Sequence, residues 1–383
     1  MMSRRVFLRA MGTGLALPLL ACGGGGGSSS SGNTSNTSNG GGGTTTTTTQ
    51  RWFMPDERAE HYCTWMAFGA RRSVWGDALF PTLQDHLARV ARTLAEYERV
   101  RMLVREADLA TARSKCGAGV EMVVAQLDDV WIRDTGPVFV QDELGLQGAV
   151  DFNFNGWGNK QGYANDGGVA RFVTQAAGVR RLTTSLVMEG GAIEVDGEGT
   201  AIITESCVLN ANRNPGVTRA QVAAELKQLL GIDKIIWLPG IAGRDITDGH
   251  TDFYARFVKP GAVVAALEPD TTHYDYQLTR QHLQILKNAT DARGRKLDVV
   301  TLEGPSTVRP AFDRPEFAAG YVNFYVGNGV VLAPEFGDAQ ADARALITLQ
   351  ELFPEHAVRQ LNIDAIAAGG GGIHCVTQQE PLV

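Results

Sequence analysis

The chain has 383 residues, 35 Lys and Arg against 42 Asp and Glu, a formal net charge of −7 and 44% hydrophobic residues. Basic residues are scattered rather than clustered, so the electrostatic footprint of nucleic-acid binding is missing, while the acidic balance is compatible with a cationic substrate. Beyond Cys22 the cysteines are Cys63, Cys116, Cys207 and Cys375, with no paired C-x-x-C spacing to suggest zinc and no pattern of a disulfide framework.

In chain order, Ser3-Arg4-Arg5-Val6-Phe7-Leu8-Arg9 precedes an apolar run, 10–21, that is too short to span a bilayer. This reads as a secretion signal of the twin-arginine type. Leu19-Leu20-Ala21-Cys22 resembles a lipoprotein cleavage box, with Leu20 larger than the small residue usual there. Residues 1–22 are therefore expected to be a lipoprotein signal peptide and Cys22 an acylated N-terminus; a plain cleaved signal is the alternative. The expected destination is the periplasm or a membrane anchored through that lipid. Export of a chain already folded in the reducing cytoplasm is consistent with free thiols. Residues 23–50, almost all Gly, Ser, Thr and Asn, bury nothing and read as a flexible tether. Residues 51–383 have the composition of one large catalytic domain.

Within that domain the periodicity predicts amphipathic helices near 81–98, 167–177, 218–230, 272–288 and 339–353. Each is followed by a short apolar strand: 100–104, 182–187, 234–238, 297–302 and 358–363. The last three strands start 63 and 61 residues apart. Hairpin-like pairs precede the later helices, 252–258 with 262–267 around Lys259-Pro260-Gly261 and 321–326 with 330–333 around Gly327-Asn328-Gly329. A fivefold recurrence of about 60 residues points to radial repetition of one ββαβ unit, a five-bladed α/β propeller. A doubly wound α/β sheet also alternates helix and strand, but no G-x-G-x-x-G follows a strand here.

Polar residues concentrate at the junctions between units, which a propeller brings together. The last junction carries Gly369-Gly370-Gly371-Gly372-Ile373-His374-Cys375, where glycines leave room for a ligand to approach the backbone beside a thiol. A nucleophilic cysteine needs a proton-transfer partner. On an extended segment His374 would face away from Cys375, so the expected partner is His250, in a His250-x-Asp252 pair that a strand would place on one face. The same pair could be a metal half-site, but no third ligand stands at recognisable spacing. Asp134, Glu189 and Asp252 are too many carboxylates for an acyl-transfer oxyanion, whereas a planar, permanently cationic guanidinium suits them. Read singly, Asp134 and Glu189 are equally good as turn or capping residues.

Trp131-Ile132-Arg133-Asp134-Thr135-Gly136-Pro137, Glu189-Gly190-Gly191-Ala192-Ile193, Gly249-His250-Thr251-Asp252 and Gly370-Gly371-Gly372-Ile373-His374-Cys375-Val376-Thr377-Gln378-Gln379 together resemble the agmatine deiminase and bacterial peptidylarginine deiminase family of pentein guanidine-modifying enzymes. The resemblance implies a five-bladed propeller, Cys375 attacking the guanidinium carbon, and His250 protonating ammonia and then activating water. Asp134 and Asp252 would grip the guanidinium nitrogens and Glu189 would orient His250 or the substrate. Trp131, Arg133 and Asp248 would contact substrate, Trp131 by cation–π cover and Asp248 as partner of an amine. No metal or organic cofactor is implied. Gly372 departs from the Asn common at that position. Export favours the peptidylarginine branch, whereas 377–381 and the turn 196–200 favour agmatine, which is the preferred expectation. A tethered binding lipoprotein with a dead site is the non-enzymatic alternative.

Overall fold

The computed structural model describes residues 50–314 and 316–383. The twin-arginine motif, Cys22 and the tether up to residue 49 lie outside the described residues. No described helix is long and apolar enough to cross a membrane.

Five sheets repeat one pattern: an antiparallel pair, a helix, then a third strand parallel to the second. Val138–Asp142, Gln147–Asp151 and Arg180–Thr183 form one sheet, edged by the short strand Trp52–Phe53. Ile193–Val195, Thr200–Thr204 and Lys234–Leu238 form the next. Ala255–Lys259, Ala262–Leu267 and Asp298–Glu303 form the third, and Tyr325–Gly327, Val330–Glu335 and Ala357–Asn362 the fourth. The remaining sheet joins the two ends of the domain: Gln378–Pro381 pairs antiparallel with His61–Phe68, which continues through Val100–Val104 to Val120–Val124. This is the ββαβ propeller that the repeat implied.

Middle strands such as Thr200–Thr204 are buried at every position, because both faces of a sheet with a parallel partner are covered. The connecting helix Arg219–Leu230 starts at a capping box, in which Thr218 and Gln221 satisfy each other's backbone donors, and ends at Gly231 in the left-handed region, φ 70°.

Several boundaries differ from expectation for local reasons. The first helix is Arg72–Leu94, broken at Gly76 (φ 68°), so it begins well before Pro81 and carries Trp75 on its first turn. The strand expected at 182–187 is Arg180–Thr183, ending where its partner strand ends at Asp151. Asp252 lies in a 3-10 turn, Thr251–Phe253, and not on a strand, so the sheet starts at Ala255. Similarly, of the run 321–326 only Tyr325 and Val326 are strand, which ends at Gly327.

One buried carboxylate ties these units together. Glu57 Oε1 accepts from Arg256 Nη2 at 2.6 Å and Val326 N at 2.9 Å. Its Oε2 accepts from Arg133 Nη2 at 3.1 Å and meets His374 Nε2 at 2.9 Å. Burial alone would raise this carboxyl, but Arg256, His374 and Arg133 hold it well below the usual range.

Candidate active site

Cys375 sits in a 3-10 turn, His374–Val376, at the wall of a cavity of about 230 Å³. The turn replaces the extended segment expected there. Even so, His374 leaves the thiol: its Nδ1 lies 2.7 Å from Asp252 Oδ2 and its Nε2 reaches Glu57. The glycine run serves the protein's own side chains more than a ligand. A Cβ at Gly369 would overlap the Trp75 ring, one at Gly371 the Trp131 ring, and one at Gly372 would stand 2.3 Å from Asn323 Oδ1. At Gly372 the space that a side chain would take is filled by Asn323.

Asn323 was missed in the sequence, where it is one polar residue in an apolar run. Fully buried, it accepts from His374 N at 3.1 Å through Oδ1 and so turns Nδ2 toward Cys375 Sγ, 3.4 Å away, and Asp252 O at 3.3 Å.

His250, Asp134 and Asp252 converge on Gly191. A Cβ there would lie 2.5 Å from His250 Nδ1, 3.0 Å from Asp134 Oδ1 and 3.1 Å from Asp252 Oδ2. Only glycine lets Asp134 meet His250 and Asp252 of another segment here. Asp134 sits in the helical turn Ile132–Thr135 and accepts from Trp157 Nε1 at 2.9 Å and Gly191 N at 3.2 Å. Trp157, held at φ 54° between Gly156 and Gly158, also lines the cavity and gave no sequence signal beyond its flanking glycines. Glu189 is fully buried: Oε1 accepts from Arg213 Nε at 2.9 Å, and Oε2 lies 3.3 Å from both His250 Nε2 and Cys207 Sγ. Glu189, Cys207 and His250 offer three ligand atoms within 4.8 Å of one another, so a metal ion here would share Glu189 with Arg213.

The charges follow from this packing. Burial would lower the His250 pKa, but Asp134, Cys207 and Glu189 outweigh it and hold the imidazole well above its ordinary value. This packing favours the imidazolium form of His250. Burial raises Asp134 to about 6, with His250 pulling down and Asp252 and Glu189 pushing up. For Asp252, burial is overcome by His374 and the carboxyl stays low. Burial, Asp252 and Asp134 together push the Cys375 thiol well above its usual range.

Of the residues singled out in the sequence, Cys375, His250, Asp134 and Trp131 line the cavity. Asp252 lies directly behind, 3.6 Å from Cys375 Sγ, and Glu189 behind His250. Arg133 and Asp248 do not reach it. Arg133 points away, donating to His374 O, Gln379 Oε1 and Glu57. Asp248, 1% exposed at φ 65°, is fully engaged by Lys160 at 2.7 Å, Gly243 N at 2.6 Å, Asn212 at 3.1 Å and Arg213 at 2.5 Å. Neither residue lines the cavity. Cys63, Cys116 and Cys207 are free and buried, and burial raises each thiol.

A pentein propeller that presents a cysteine, an imidazolium and paired carboxylates on one cavity is the architecture of hydrolases acting on guanidino C–N bonds. Residues 53–381 match the family described as Porphyromonas-type peptidyl-arginine deiminase, and the chain belongs to that family. It is 40% identical over 356 residues to the agmatine deiminase of Stutzerimonas stutzeri, covering 86% of this chain and 95% of that one. It is 35% identical over 361 residues to the agmatine deiminase of Medicago truncatula, covering 86% and 96%. The solved agmatine deiminase of Enterococcus faecalis superposes with a TM-score of 0.81 at 30% identity, covering 86% and 96%.

Proposed function

We propose that this protein hydrolyses the guanidinium of agmatine to N-carbamoylputrescine and ammonia through a covalent amidino-cysteine. The observation that carries the reading is the convergence of His250, Asp134 and Asp252 on one point beside Cys375. Similarity to agmatine deiminases along nearly the whole domain supports the substrate.

Asp252 Oδ1 is buried without a hydrogen-bond partner among the described residues, a free acceptor for a guanidinium N–H. Asp134 keeps acceptor capacity on both oxygens, and Trp131 covers the planar cation. The arriving charge supplies what the thiol lacks, since its present neighbours are carboxylates. The Cys375 proton has Asp252 Oδ2 as acceptor, and the sulfur forms a bond to the guanidinium carbon. Thiolate and guanidinium sum to a neutral tetrahedral adduct, so the surrounding carboxylates do not oppose it. His250, already protonated, gives its proton to the departing nitrogen and ammonia leaves. Neutral His250 then takes a proton from water as the C–O bond forms, and C–S cleavage releases the ureido product and restores the thiol.

The test is purified protein offered agmatine, free arginine and an arginyl peptide, with ammonia and ureido product measured. The highest kcat/KM on agmatine is expected; no ureido product from any of them would refute the reading. One observation favours peptidylarginine as the second reading: Arg314, exposed on the cavity wall, is a cation suited to a substrate carboxylate. We also propose export through the twin-arginine motif with acylation of Cys22, supported by residues 3–22. Arg4→Lys with Arg5→Lys should retain the protein in the cytoplasm, and Cys22→Ala should abolish fatty-acid labelling.

A further inference from the structure

Asp129 is a buried carboxylate, 2% exposed, on the wall of the cavity that holds Cys375. Its Oδ1 accepts from Trp75 Nε1 at 2.6 Å and Val130 N at 3.0 Å, and its Oδ2 from Gln161 Nε2 at 2.8 Å. All of these donors are neutral. No ion pair to Asp129 occurs among the described residues, although the adjacent Asp128 pairs with Arg71. Glu57, Glu189, Glu194 and Asp248 each meet an arginine, whereas Asp166, Asp196, Asp342 and Glu380 are buried with no ion pair among the described residues but do not line this cavity. Burying a carboxylate without a counter-cation is costly, and burial pushes this carboxyl up against the pull of its donors. Its surroundings are nevertheless built: the Trp75 and Trp131 rings stand 5.6 Å apart, and both line the same cavity as Asp129 and Cys375.

Resting on the agmatine reading above, we propose that Asp129 is the specificity residue of this site. It receives the distal ammonium of a guanidinoalkylamine whose alkyl chain lies along Trp75 and Trp131. It takes the part expected of Asp248, which the structure places elsewhere with its oxygens engaged. A charge-assisted hydrogen bond to a buried carboxylate rejects the analogue that lacks the amine, because the carboxylate is then left without its cation.

The experiment compares agmatine with butylguanidine, which has the same chain without the amine, in wild type and Asp129→Asn. Wild type should prefer agmatine. Asp129→Asn should lose about 10- to 100-fold in kcat/KM on agmatine, mostly through KM, while butylguanidine stays within about threefold. A parallel fall on both substrates assigns Asp129 a structural part and overturns the proposal, as does an unchanged ratio. If Asp129→Asn does not fold, Asp129→Glu keeps the charge one methylene further in, and should shift preference toward 3-aminopropylguanidine; no shift overturns the proposal. Agmatine turnover without discrimination in wild type sinks the role of Asp129 alone. Absence of agmatine turnover, with peptides deiminated, sinks the functional reading on which it rests.

Discussion

The thiol of Cys375 is surrounded by groups that oppose its ionisation, and the Gly372 backbone and the Asn323 amide only partly offset them. Removing the sulfur removes the covalent route. Cys375→Ala should lower turnover by at least about 10³-fold with the circular-dichroism spectrum and melting temperature unchanged. Activity retained above a few per cent would end the assignment. Asp134 sets the acidic limb of the rate profile. With its pKa at about 6, protonation removes one anionic acceptor for the guanidinium, so kcat/KM should fall as pH drops below about 6. The sign for stability is opposite: a carboxyl whose folded pKa lies above its unfolded value binds its proton more tightly in the native state, so its own contribution favours the fold as pH falls from 6 toward 4. The acidic loss is therefore one of binding and chemistry, not of unfolding by this group. Asp134→Asn should lower kcat/KM at every pH and abolish the limb near 6. A limb that persists in the variant would assign it to another group.

At the scale of elements, the site is held by a relay between loops. Asp248 fixes Arg213, Arg213 fixes Glu189, and Glu189 orients His250. Asp248→Asn should therefore lower kcat on agmatine and butylguanidine by the same factor, about tenfold, and leave their ratio unchanged. A change confined to agmatine would mean that Asp248 touches the amine after all. Gly191→Ala would place a methyl among His250, Asp134 and Asp252, and near-complete loss of activity is expected, read as turnover against melting temperature. The helices and their following strands were legible because their apolar positions repeat with a clear period. Asp252 was not legible as a turn residue, because its i, i+2 spacing with His250 fits a strand equally well and tertiary packing at Gly191 decides. The placement of Asp248 and Arg133 off the cavity wall was not legible for a related reason: a charged residue beside a catalytic motif has the same sequence signature whether it faces the cavity or the scaffold behind it. Asn323 and Trp157 act through distances set by other segments, which no local pattern records.

For the whole molecule, closure of the fold and completion of the site depend on the same few residues at the C-terminus. Three residues beyond Cys375, the strand Gln378–Pro381 enters the sheet that begins with His61–Phe68 and so connects the ends of the domain. Within it, Glu380 accepts from Trp65 Nε1 at 2.7 Å and Cys63 Sγ at 3.3 Å, and Gln379 accepts from Arg133 at 2.7 Å. Arg133 in turn holds His374 O and Glu57, so the strand reaches the nucleophile's own turn through one side chain. Ending the chain after Thr377 would keep Cys375, His250, Asp134, Asp252 and Glu189. It would also leave the ladder face of His61–Phe68 and the buried Arg133 guanidinium short of partners, a loss of several kcal/mol, ~1–3 for each orphaned buried group. This truncation should lower the melting temperature by at least about 5 °C and abolish turnover. Removing only Val383, which is 61% exposed, should change neither. Full activity in the protein ending at Thr377 would show that the turn around Cys375 is held by the glycine run and Asn323 alone, and that the closing strand serves stability without setting the site.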